Sequence, residues 1–109
     1  MVNDSYESGE VVLIAFPFST TTTKKRRPAL ILLDTGDEDI MVARITSQPQ
    51  SSSFDIELKQ WQASGLKVQS WVRLHKVATL EKTLVDRRLG KLASSDWSKI
   101  QSLLKQLWD

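Results

Sequence analysis

Six consecutive residues, Val11-Val12-Leu13-Ile14-Ala15-Phe16, are apolar and rich in β-branched side chains. No other feature of the chain restricts its fold as tightly. The run is far too short to cross a bilayer, and it lacks the polar alternate residues of a half-exposed strand. It therefore predicts a strand covered on both faces, with Gly9-Glu10 before it and Pro17 after it. A chain of 109 residues can supply one core to cover such a strand, but not two. A single domain over residues 1–109 is expected.

The remaining signals are consistent with a small β structure. Residues 17–27 are polar and basic, with four threonines in a row, and read as a long loop. Ala29 to Leu33 is a second apolar strand, Asp34-Thr35-Gly36-Asp37 supplies turn chemistry, and Ile40 to Thr46 is a third strand. The two strands should pair as a hairpin. Residues 48–53 form a polar loop, Phe54 to Leu58 alternates as a short strand, and residues 59–69 suggest a helical turn. From Trp71 to Leu80 the alternation places Val72, Leu74, Ala78 and Leu80 on one face. Trp71, Arg73, His75, Val77 and Thr79 fall on the other. Leu89 to Leu92 is a candidate last strand. The C-terminus predicts a helix: Ser94 or Ser95 can cap it, Asp96 suits its positive end, and Trp97, Ile100, Leu103, Leu104 and Leu107 form one stripe. Several short strands followed by one helix predict a small barrel with the helix packed on it.

Composition narrows the chemistry. The chain has no cysteine, so disulfides and thiolate metal sites are excluded. A net charge of +2 argues against coating DNA by bulk charge, and the first residues show no secretory pattern. A soluble, cytoplasmic protein is expected, with no membrane partner. The single histidine excludes paired-histidine catalysis. No GxSxG, Walker loop, dinucleotide fingerprint or HExxH is present, and the carboxylates are too scattered for a D-x-D metal cluster. Any catalysis must use Arg, Thr, Ser, Lys and the lone His, a set suited to an anionic substrate.

Three places could carry it. Lys24-Lys25-Arg26-Arg27 are consecutive cations, and Pro28 biases Arg27 toward an extended conformation where a guanidinium fork could meet phosphate oxygens. The same cations could equally be a solvated loop. Thr46-Ser47 ends the third strand on the face shared by Ile40, Val42 and Arg44. Its hydroxyls could donate to a phosphate or simply close the turn. Arg73 and His75 lie two apart in a strand. His75 is the one side chain whose ordinary pKa, about 6.5, allows proton transfer both ways near neutrality, but it could also be only a surface residue. Trp61 and Trp71 could stack on bases or belong to the core; Trp97 reads as core, and Trp108 could serve a subunit contact.

The segments Gly9-Glu10-Val11-Val12-Leu13, Arg27-Pro28-Ala29-Leu30-Ile31-Leu32, Ile45-Thr46-Ser47 and Arg73 through Thr79-Leu80-Glu81, in this order and spacing, resemble the MazF/PemK family of toxin–antitoxin ribonucleases. The resemblance runs from Gly9 to the final helix. It implies a mainly β, SH3-like barrel with a C-terminal helix, usually a homodimer. It also implies cleavage of single-stranded RNA at short sequences without metal or other cofactor, and neutralisation by a cognate antitoxin. By position, it implies Arg27 and Thr46 as main catalytic residues and Arg73 as an RNA-binding arginine. His75 stands where one branch of the family commonly has an aspartate, and ranks third as a catalytic candidate. Lys24, Lys25, Arg26, Ser47 and Gln48 complete the expected RNA-binding set. The loop before Arg27 departs from the family's Gly-rich turn. Two alternatives stand beside this reading: a non-catalytic barrel toxin of the gyrase-poisoning type, and a family member that has lost activity.

Overall fold

The computed structural model describes residues 5–16 and 25–107. The apolar run forms β1 (Glu10–Phe16), followed by β2 (Lys25–Asp34) and β3 (Asp39–Thr46). Then come the short β4 (Asp55–Glu57), the long β5 (Trp71–Glu81), β6 (Val85–Lys91) and the helix α1 (Ser94–Leu107). One six-stranded antiparallel sheet has the order β4-β5-β3-β2-β1-β6.

β1 is covered on both faces, as its composition demands. Val11 packs with Leu30, Ala43, Ile45, Val72, Leu74 and Ile100 of α1. Its neighbours Val12 and Ile14 pack on the opposite face with Ala29, Ile31, Ile40 and Val42, closed over by Tyr6, Leu80, Leu84 and Val85. Alternation along three strands thus produces two apolar layers from one sheet.

β2, β5 and β6 differ from expectation: β6 begins at Val85, not Leu89. β2 begins at Lys25, not Ala29, and Arg26 and Arg27 pair with Ala15 and Ile14. The inner end of β1 needs hydrogen-bond partners, and the cationic segment supplies them although it carries no apolar signal. In β5 the alternation does not run through. Arg44 lies opposite Arg73 but Ala43 lies opposite Val77, so Leu74-His75-Lys76 form a bulge. Val72 and Leu74 therefore join the helix-side layer while Leu80 packs on the other.

The barrel expected from the sequence is not closed by hydrogen bonds: β4 and β6 are the two sheet edges. Residues 59–70, which form turns with no helix, fill the gap. Gly65, at φ +85°, lies so near β6 that a Cβ would come 2.0 Å from the Leu89 carbonyl oxygen. A Cβ on Gly90 would come 2.5 Å from the Ser64 carbonyl oxygen. Two facing glycines let backbone touch backbone where a ladder is missing. The same segment is anchored by buried Asp96 of α1. Its carboxylate accepts the Lys59 N–H at 3.1 Å and the Gln60 N–H at 2.8 Å. Ser94 begins the helix, and Asp96 serves these distant amides as well as the helix dipole. Among the described residues, no helix is long and apolar enough to cross a membrane.

Candidate nucleic-acid interface

Arg27 shares its face of β2 with Ala29 and Ile31, and Arg44 and Thr46 share theirs of β3 with Ile40 and Val42. One end of this face is thus an apolar layer and the other becomes cationic. Register sets Arg73 of β5 beside Arg44. At this end opens a cleft of about 630 Å³. Its lining includes Arg27, Arg44, Thr46 and Arg73, with Lys67 of the turn segment and Arg87 of β6. Ser47 and Gln48 stand at its lip. Among the described residues, no carboxylate lines it. Such a surface attracts anions, and each guanidinium offers a planar fork for phosphate oxygens.

The polar groups are held in place. The Thr46 hydroxyl accepts the Gln48 N–H at 3.1 Å, which closes the turn and leaves its own proton for an acceptor in the cleft. Both sequence readings of this residue are therefore compatible. Half-buried Arg73 donates through Nε to Asp55 at 3.0 Å. Burial alone would raise the Asp55 carboxyl, but hydrogen bonds from Ser52 and Arg73 and the Arg73 charge hold it below the ordinary aspartate value. Asp55 thus remains an anion behind Arg73 and fixes its orientation. Arg73 Nη2 lies 3.3 Å from His75 Nε2. A guanidinium can only donate, so in this contact Nε2 is the accepting atom.

The cleft brings together Arg27, Thr46, Ser47, Gln48 and Arg73. It does not include His75, which is exposed in the β5 bulge, its ring 5.8 Å from that of Phe54. Arg26 points away and pairs with Asp86 at 3.3 Å. Lys24 lies outside the described residues, as do Trp108 and the side chain of Lys25. Trp61 and Trp97 pack against the helix-side core. Arg87 and Lys67 were not singled out by the sequence, because nothing local marks them. Among the described residues, no three His, Cys, Asp or Glu side chains are grouped to hold a metal ion.

A sequence model of the PemK-like, MazF-like toxins of type II toxin–antitoxin systems matches residues 7–108. The chain belongs to that family. Solved structures agree on the PemK/MazF fold. An endoribonuclease from Mycobacterial species in complex with its cognate antitoxin is 16% identical, with 94% of this chain and 93% of that one covered and a TM-score of 0.75. The Mycobacterium tuberculosis toxin MazF-mt6 is 19% identical over 92% of this chain and 96% of its own, with a TM-score of 0.74. A MazE–MazF structure from Deinococcus radiodurans gives 17%, 94% and 95%, with a TM-score of 0.74. No curated protein matches the chain in sequence. The PemK/MazF fold is thus kept at identities where few side chains are shared, and the residues of this cleft carry the functional argument themselves.

Proposed function

We propose that this toxin-family member is an endoribonuclease that cuts single-stranded RNA without a metal ion and is neutralised by a cognate antitoxin. The observation that carries the reading is the shared cleft of Arg27 and Thr46, lined by further cations and, among the described residues, by no carboxylate. In RNA the 2′-hydroxyl beside each phosphodiester is a built-in nucleophile. Its attack adds negative charge to the non-bridging oxygens, and the protein has to stabilise that charge and move two protons. Arg27 contacts those oxygens, Thr46 donates a second hydrogen bond, and Arg73, braced by Asp55, holds an adjoining phosphate. Ser47 and Gln48 at the lip contact the strand. His75, outside the cleft lining but 3.3 Å from Arg73 Nη2, is the candidate proton carrier and reaches the substrate through a water. The substrate is unpaired, since A-form helices hide their base edges.

Antitoxin binding fits the same surface: an acidic, disordered segment laid over the cleft competes with RNA for its cations. Assembly as a homodimer completes the reading and is checked by light scattering. The test of activity is purified protein incubated with single-stranded RNA in EDTA. Discrete fragments ending in 2′,3′-cyclic phosphate are expected. RNA left intact at every protein concentration, with growth arrest still seen on expression, would favour a binding toxin instead.

A further inference from the structure

Three charged neighbours in β6 are used in three ways. Leu13 of β1 lies opposite Arg87 but Ile14 lies opposite Val85, so the strand bulges at Asp86. Asp86 takes up Arg26 at 3.3 Å. Arg88 is engaged away from the cleft by Glu10 at 3.4 Å, the Ser5 carbonyl at 2.6 Å and the Tyr6 ring at 4.4 Å. Arg87, between them, is exposed, lines the cleft and has no ion-pair partner among the described residues. A bulge that re-aims one side chain is a common device beside binding sites.

Its place in the sheet says what it can bind. Arg27 lies opposite Ile14 and Arg87 opposite Leu13, on alternate faces of β1, and both line the one cleft with Arg44 and Arg73. In strand order β6 lies two steps from β2, about 9.5 Å along the sheet, on the side away from β3 and β5. With Lys67, four guanidiniums line the cleft. One phosphate does not need so large a set; a chain of phosphates does. The Gly65 contact with Leu89 fixes the turn segment next to Arg87 and adds Lys67 to that wall.

We propose that Arg87 holds a backbone phosphate flanking the cleavage point, at the β6 wall of the cleft beside Lys67. The proposal rests on the RNA-binding reading above and extends it to the β6 wall. Arg87 is a substrate-binding residue outside the chemical step, and its contact is indifferent to base sequence.

The test measures binding of a single-stranded RNA with 2′-O-methyl groups throughout, which cannot be cut, across a series of salt concentrations. Each neutralised phosphate of a single strand contributes about 0.7 to the slope of log affinity against log salt. Arg87→Ala should reduce that slope by about 0.7 and weaken different sequences alike. Arg88→Ala, one residue away and facing elsewhere, should keep the wild-type slope; thermal melts check that both variants are folded. On cleavable RNA, Arg87→Ala should raise KM and leave kcat near wild type. An unchanged slope in Arg87→Ala, with the wild type binding RNA, overturns the assignment alone. A wild type that binds no RNA overturns both readings. Binding without cleavage, with the slope reduced, supports Arg87 and removes the ribonuclease.

Discussion

Replacing Asp96 with alanine separates what its place in the sequence suggests from what the fold uses it for. As a first-turn acid favouring the helix dipole, Asp96 would contribute about 0.3–1 kcal/mol. In the structure it is fully buried and its two oxygens accept the amides of Lys59 and Gln60. Hydrogen bonds to a charged group contribute about 1.5–3 kcal/mol each. Both recipient residues are exposed, so their freed amides regain some water, and the lower end of the summed range applies, about 3 kcal/mol. The Lys99 ammonium, half-exposed and 3.9 Å away, adds little. For a domain of this size, about 3 kcal/mol lowers Tm by about 12 °C or more. Urea and thermal unfolding of Asp96→Ala measure the loss directly, and Asp96→Asn, which keeps one acceptor, should fall between it and wild type. A loss below about 1 kcal/mol would refute the reasoning and return Asp96 to a dipole role.

Gly65→Ala should be more damaging than an ordinary surface substitution, because the new Cβ meets the Leu89 carbonyl at a φ of +85°. Thermal melts should show a clearly lowered Tm, and RNA binding should weaken with it, since Gly65 also lines the cleft. Acid should destabilise the fold through Asp34. Burial opposes its ionisation, but the amides of Tyr6 and Gly36 and the Lys82 ammonium outweigh that and lower its folded-state value. A lowered carboxyl stabilises the protein above its unfolded pKa of about 4, and the contribution is lost as pH falls through the folded value. In urea titrations over this range, Asp34→Asn should be less stable than wild type near neutrality and show a shallower loss in acid.

Much of this architecture is legible in the chain because its signals are local. The apolar run of β1, the Asp34–Asp37 turn and the helix stripe each act through neighbours a few residues away. Arg27 and Thr46 were legible as candidates because a proline and a strand end mark their positions. The rest depends on distant partners. β2 reaches back to Lys25 because β1 needs a pairing strand. The β5 bulge appears only once Arg73 is set opposite Arg44 and Val77 opposite Ala43. The cleft wall exists because Gly65 meets Gly90 across the open sheet edge, and Arg87 belongs to it because a bulge turns it inward. Period-two counting along one strand carries none of this information.

The central claim is that a guanidinium and a hydroxyl, brought to one cleft from β2 and β3, stabilise a phosphodiester as it gains charge. Single-turnover cleavage of a single-stranded RNA in EDTA, comparing wild type with folded Arg27→Ala, tests it most directly. Removing one such preorganised donor typically costs about 2.7–4 kcal/mol of transition-state stabilisation. The expected result is thus a rate lowered by roughly a hundredfold to a thousandfold. Folded Arg27→Ala protein that cuts RNA at the wild-type rate would contradict it.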